Sequence, residues 1–308
     1  MTTTVATSRI PRRGDRAMGW LQGQLPKLVL SPSLAVIAVF VYGFIGWTIV
    51  LSFSKSKILP LYQFAGFDAY DRMWRQPNWY VALENLGIYG TLYIGLCIAL
   101  GLLLAILLDQ RIRIEGGLRP IYLYPMALSF IVTGTAWKWF LNPGLGIEKV
   151  MHDWGWSSFT FDWLINPDMA IYTIVIAAIW QSSGFVMAMF LAGLRGIDNE
   201  LVRAAQIDGA SAFNLYRRII IPQLRPAFLS AVIVLAHMAI KSYDLVIALT
   251  GGGPGNATEL PATFMYSYTF TRNQMAVGAA SAVIMLMTIM AIIVPYLYSE
   301  LREPGHGR

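Results

Sequence analysis

Six stretches of this sequence are long and apolar enough to cross a lipid bilayer, and they dictate the solvent in which the chain folds. About 20 apolar residues in a helix cover the hydrocarbon core. The stretches are Leu28–Phe53, Asn85–Leu108, Ile121–Leu141, Met169–Leu194, Ala227–Thr250 and Met275–Tyr298. In lipid every backbone polar group must find a partner inside the protein, and a helix supplies one within its own segment. The expected fold is an all-α integral membrane protein with six transmembrane helices spanning 28–298, an N-terminal tail (1–27) and a C-terminal tail (299–308). Composition agrees: 56% of the 308 residues are apolar and 13% charged, which excludes an ordinary soluble globule. The first run is too long for a cleaved signal peptide and reads as a retained helix.

Lys and Arg then set the orientation. The tails and the loops after the second and fourth stretches carry 15 of them, including Arg9, Arg12, Arg13, Arg16, Arg111, Arg113, Arg119, Arg217 and Arg218. The opposite side carries 6: Lys55, Lys57, Arg72, Arg75, Lys149 and Arg272. Both termini and the 195–226 loop are therefore expected in the cytoplasm. This distribution also accounts for the net charge of +6 without nucleic acid. The outer loops carry aromatics instead, among them Trp74, Trp79, Trp154, Trp156 and Trp163. Such residues anchor a membrane interface or form a docking surface for an external partner.

The 195–226 loop is the one long amphipathic segment. Asp198 is placed to cap a first helix, in which Leu201, Ala204, Ala205 and Asp208 share a face. Gly209 stands where a left-handed turn needs no Cβ. Ser211 is placed to cap a second helix, ended by Pro222 and Pro226. Small residues on one face of this helix–turn–helix would let another protein approach closely.

No enzyme is expected. Gly251–Thr258 has glycines and a threonine but lacks the lysine of a phosphate-binding loop. His152, His237 and His306 are not spaced as zinc ligands, so no metal is expected. Cys97 is the sole cysteine and reads as packing. The chemistry left is polar residues within the spans, which are costly in lipid and normally face a bundle interior or a wet cavity. His237, Lys241 and Asp244 fall at i, i+4 and i+7, on one face of the predicted fifth helix, beside Tyr243. They form either a self-satisfied Lys241–Asp244 pair or a polar lining. In the fourth, Trp180 shares a face with Ser183, Gly184 and Met187, and Gln181 adjoins it. An aromatic face with amides and carboxylates suits a sugar, so Trp180, Gln181, His237, Lys241, Tyr243 and Asp244 are the expected substrate pathway.

The hairpin resembles the EAA signature of permease subunits of ATP-binding-cassette carbohydrate importers of the carbohydrate-uptake-1 type. The residues that carry the likeness are Arg203-Ala204-Ala205, Asp208-Gly209-Ala210 and Ile219 through Pro222. Gly66–Asn85, Trp137–Gly146, Ile179–Gly193 and Leu249–Pro254 are also similar to family stretches. Arg203 departs from the family, which usually has a glutamate there. The resemblance implies one permease half in a bacterial cytoplasmic (inner) membrane, paired with a second homologous permease. Two cytoplasmic ATPases using ATP and Mg, and an extracytoplasmic sugar-binding protein, would complete the machine. No cofactor would bind this chain itself. Arg203, Ala204, Ala205, Asp208, Gly209, Ala210 and Pro222 would couple to the ATPase. The solute would be a sugar, nearest the glucose or mannose type. Glycerol phosphate, an oligosaccharide and ion-gradient-driven transport are the rival readings.

Overall fold

The computed structural model describes Lys27, residues 29–110 and residues 115–302. The tail arginines before Lys27, Arg308, and Arg111 and Arg113 lie outside the described residues. The chain divides into residues 1–50 and 51–308. The first unit holds most of α1 (Val29–Ser52), wound as a π-helix over Ala38–Gly43. Phe40, Phe44 and Trp47 make successive ring contacts along it.

In the second unit residues 54–64 turn back on themselves, joined by an antiparallel bridge between Ser54 and Phe64. Its Lys57 and Ser56 carbonyls accept from the amides of Met275 and Ala276 at 3.0 and 3.1 Å. These amides open α13 and have no partner within the helix. Helix α2 (Asp68–Trp74) and α3 (Pro77–Asp109) follow. Helix α3 starts eight residues before the predicted second span, because Pro77 fits the first turn of a helix. Asn85, Tyr89, Tyr93, Cys97, Gly101 and Ala105, at i+4 steps, are all buried on one face of α3.

The predicted third span is broken in two. Helix α4 (Glu115–Ala127) contains Pro120 and Pro125, and α5 (Phe130–Phe140) begins anew after Ser129, whose side chain accepts from the Val132 amide. Helix α6 (Ile147–Asp153) lies in the following loop. Helix α7 (Ala170–Arg195) is the most enclosed long helix, with buried residues throughout. It packs where glycine permits. A Cβ on Gly101 would meet Val186 Cγ1 at 2.6 Å, and one on Gly184 would overlap the Tyr122 carbonyl. Small residues matter at such crossings because helices in lipid associate by close packing rather than by hydrophobic exclusion.

After α7 come α8 (Asn199–Ile207), α9 (Ala212–Gln223) and α10 (Arg225–Ile240), the last two bent by 63° at their junction. The predicted fifth span is therefore not one helix: α10 ends at Ile240, and α11 (Asp244–Leu249) restarts after Lys241–Tyr243. Helix α12 (Pro261–Tyr266) continues as a π-helix over Ser267–Thr271, and α13 (Met275–Arg302) closes the described chain. Among the described residues four helices are long and apolar enough to cross a membrane, or five if the bent α9–α10 pair is one span. The sequence expectation was six, and the two breaks account for the shortfall.

Candidate functional site

Two regions concentrate the predicted residues: the helix–turn–helix and a cavity at the break between α10 and α11. In the first, Asp198 accepts from the Glu200 amide at 2.9 Å and so caps α8. Ser211 accepts from the Asn214 amide at 3.4 Å to cap α9. Between them Gly209 has φ +78°, with open space where a Cβ would stand, so glycine is required by backbone conformation and not by crowding. Ala205 is buried, whereas Arg203, Ala204, Asp208 and Gly209 are exposed and Ala210 half-buried. Asp208 follows the last helical residue as its C-cap, so it does not continue the face of Leu201, Ala204 and Ala205.

Pro222 is not a terminator. It lies within α9, two residues past the π-helical turn Tyr216–Ile220. A proline ring clashes with the carbonyl four residues back, and the wider π turn relieves that clash. Pro226 likewise falls in the opening turn of α10 rather than stopping α9. The hairpin presents apolar side chains without cover: Ile207 is 87% exposed and Phe213 70%. Its base is tied to α3, where Gln110 Nε2 donates to Tyr216 Oη at 3.1 Å.

The second region is a cavity of about 250 Å³. Lys241, Tyr243 and Asp244 line it, together with Ser242, Tyr89 and Tyr93. No ion pair joins Lys241 to Asp244 among the described residues. Lys241 is the C-cap of α10 and Asp244 the first residue of α11, so both reach the cavity from the break and not from one helical face. The rings of Tyr89 and Tyr93 stack at 5.3 Å with 4° between their planes. Tyr243 packs its ring 4.7 Å from Tyr266.

The other predicted pathway residues stand elsewhere. His237 lies on α10 against Ile289, Ile292 and Ile293, because the helix ends before its face can join Asp244. Gln181 is buried and donates to the Leu128 carbonyl at 2.8 Å. That carbonyl lies in the break between α4 and α5, so Gln181 repairs a helix interruption. Trp180 meets Trp137 edge to face at 5.9 Å in a separate apolar cleft. Sequence reasoning missed Tyr89, Tyr93 and Ser242. The i, i+4 spacing of the two tyrosines was the available signal.

A bundle of apolar helices, broken at its polar positions and carrying a capped amphipathic hairpin with bare apolar tips, defines a membrane transport subunit. The chain belongs to the family of binding-protein-dependent transport system inner membrane components, whose profile matches residues 97–303. It is 42% identical to a probable ABC transporter permease protein of Pyrococcus horikoshii over 88% of this chain and 94% of that one. It is 34% identical to the xylose/arabinose import permease protein of Haloferax volcanii, over 99% of this chain and 100% of that one. The fold is similar to a chain of a bacterial ABC transporter involved in import of the acidic polysaccharide alginate. That match has a TM-score of 0.80 at 18% identity and covers 94% of this chain and 100% of that one.

Proposed function

We propose that the chain forms half of the translocation pathway of an ABC importer for a neutral sugar, driven by ATP hydrolysis on a separate subunit. The observation that carries this reading is the capped hairpin with Ile207 and Phe213 exposed at its turn. Bare apolar side chains on a rigid amphipathic element need a partner surface. In this reading the partner is an ATPase, and α8 with Arg203, Ala204 and Ala205 seats in a cleft on it. Asp208, Gly209 and Ala210 hold the turn. Movement then passes through Pro222 and the 63° bend into α10, an example of coupling through a two-state element. Arg203, in place of the family's glutamate, would meet an acidic patch there.

In the same reading the chain crosses six times with both termini cytoplasmic, the broken α4–α5 and α10–α11 segments each serving as one crossing. Half-helices that interrupt a span are tolerated where they line a cavity. The assembly is this chain, a second homologous permease, two ATPases and an extracytoplasmic sugar-binding protein in the bacterial inner membrane. Tyr89, Tyr93, Lys241, Tyr243 and Asp244 would meet the solute. One ammonium and one carboxylate at the same cavity favour a neutral polyol over a phosphate ester, which would draw an excess of positive charge. Relatives named for xylose/arabinose and for trehalose/maltose support a sugar. They give no support to glucose or mannose in particular.

The test is uptake of labelled pentoses, hexoses and disaccharides by proteoliposomes holding the assembled complex. Asp244→Ala should raise KM or abolish uptake for the sugar carried, with assembly intact. Unchanged uptake in Asp244→Ala and in Tyr89→Phe would remove the cavity from the pathway.

A further inference from the structure

The glycine-rich turn after α11 hides a carboxyl group that the transport reading does not use. Gly251, Gly252 and Gly255 adopt φ of +69°, +92° and +61°, which folds the turn tightly. Thr250 Oγ1 and Thr258 Oγ1 stand 2.8 Å apart across it. One side chain fastens the turn to α3: Asn85 Nδ2 donates to the carbonyls of Ala257 at 2.9 Å and Glu259 at 3.0 Å. Asn85 heads the same α3 face that carries Tyr89 and Tyr93 to the cavity. A displaced turn therefore acts on the helix that lines the cavity.

Glu259 is 6% exposed, and its Oε2 has no hydrogen-bond partner among the described residues. A buried carboxylate is stable only when paired with a cation or several donors. Arg272 faces it but is committed elsewhere. Its Nη1 donates to Tyr268 Oη at 2.7 Å, and its guanidinium lies 4.5 Å over that ring. Tyr268, which also faces Glu259, donates in turn to Gln76 Oε1 at 2.8 Å, and burial raises its phenol above the ordinary value. From α3 the neutral Asn85 amide bonds the backbone carbonyl of Glu259, and Glu84 beside it is exposed. Helix α13 carries no charged side chain from Met275 to Tyr298. Burial pushes the Glu259 carboxyl up to about 7, against the pull of Arg272.

We propose that Glu259, held through Asn85, is a protonation-dependent positioning residue of the transport cycle: its neutral carboxyl keeps the turn folded on α3, and ionisation releases it. The folded turn binds the proton more tightly than a released turn, whose carboxyl titrates near the ordinary 4.5. Folding of the turn is therefore favoured most below that value, weakens as pH rises towards 7, and is constant above it. The effect on uptake rests on the proposed transport function; the release of the turn does not.

The test uses the detergent-purified complex with Ala262→Cys, a position 3% exposed in the first turn of α12. Its maleimide labelling rate is compared with that of the same protein carrying Glu259→Gln, at each pH, so that thiol chemistry cancels. Cys97 is wholly buried and common to both. The ratio should rise by about tenfold or more between pH 5 and pH 8 and level off above 7. Asn85→Ala should label fast at every pH. Arg272→Gln, which removes the opposing cation, should move the midpoint upward, and this comparison needs no Glu259 variant to fold. A flat ratio, or a midpoint indifferent to Arg272, overturns the proposal. Uptake by proteoliposomes should show a pH profile that Glu259→Gln flattens, and an unflattened profile also overturns it. Absence of ATP-driven uptake at every pH, with the labelling response intact, would instead contradict the proposed function.

Discussion

Tyr93 Oη donates to Ser182 Oγ at 2.7 Å across the contact of α3 with α7, and both residues are buried. The bond closes the wall of the cavity that Tyr93 lines. Tyr93→Phe should cost about 1 kcal/mol, the ordinary net worth of such a bond. Ser182→Ala should cost a similar amount. The double variant should be no worse than the more affected single one, because both remove the same interaction. Thermal unfolding of the purified subunit in detergent measures all three.

Glycines separate by what surrounds them. At Gly184 a methyl group would overlap the Tyr122 carbonyl, and at Gly101 it would press on Val186. Alanine at either site should destabilise by about 1–3 kcal/mol through overpacking. Gly95, with nothing near its would-be Cβ, should accept alanine with a change within about 1 kcal/mol, helix propensity favouring the replacement. Yield of folded subunit and unfolding temperature separate the two groups.

Gln181 tests whether a polar residue in a span serves structure or solute. Its Nε2 donates to the Leu128 carbonyl. Gln181→Leu should cost about 1–3 kcal/mol by leaving that carbonyl unpaired. In complexes that still assemble, KM for the sugar should stay at the wild-type value. A raised KM with normal stability would return Gln181 to the pathway.

At Gly209 the backbone has φ +78° and the site is open. Gly209→Val should strain the turn by more than about 1 kcal/mol, because at this φ the side chain presses on its own backbone although no other residue stands near. Gly209→Asn should be tolerated, since asparagine visits this region. The valine variant is expected to insert normally, hydrolyse ATP in the complex and fail to import. The asparagine variant should import at a rate within a few-fold of wild type.

The sequence read well wherever one long pattern ran uninterrupted. Hydropathy marked the ground of α1, α3, α7 and α13, and capping residues marked both helices of the hairpin. It failed at interruptions. Pro125 and Ser129 signal a break between α4 and α5, but apolar residues on both sides hide it. Between α10 and α11 the break at Lys241–Tyr243 has no glycine or proline at all, so helical periodicity was carried straight through it. Each such break resets the angular count. That is why His237 and Asp244, which an unbroken helix would stack on one face, point into different surroundings. Tyr89 and Tyr93 went unnoticed because tyrosines on an apolar helix look like packing until a neighbouring helix breaks beside them.

In the proposed machine, Asn199–Gln223 transmits the work of a motor that this chain does not contain. The most direct measurement of that role is sugar accumulation by proteoliposomes loaded with ATP. Vesicles holding both permeases, the ATPase subunits and the external binding protein should accumulate sugar, and matched vesicles without the ATPase subunits should accumulate none. Accumulation by the permease alone, driven by an ion gradient and indifferent to ATP, would contradict the account.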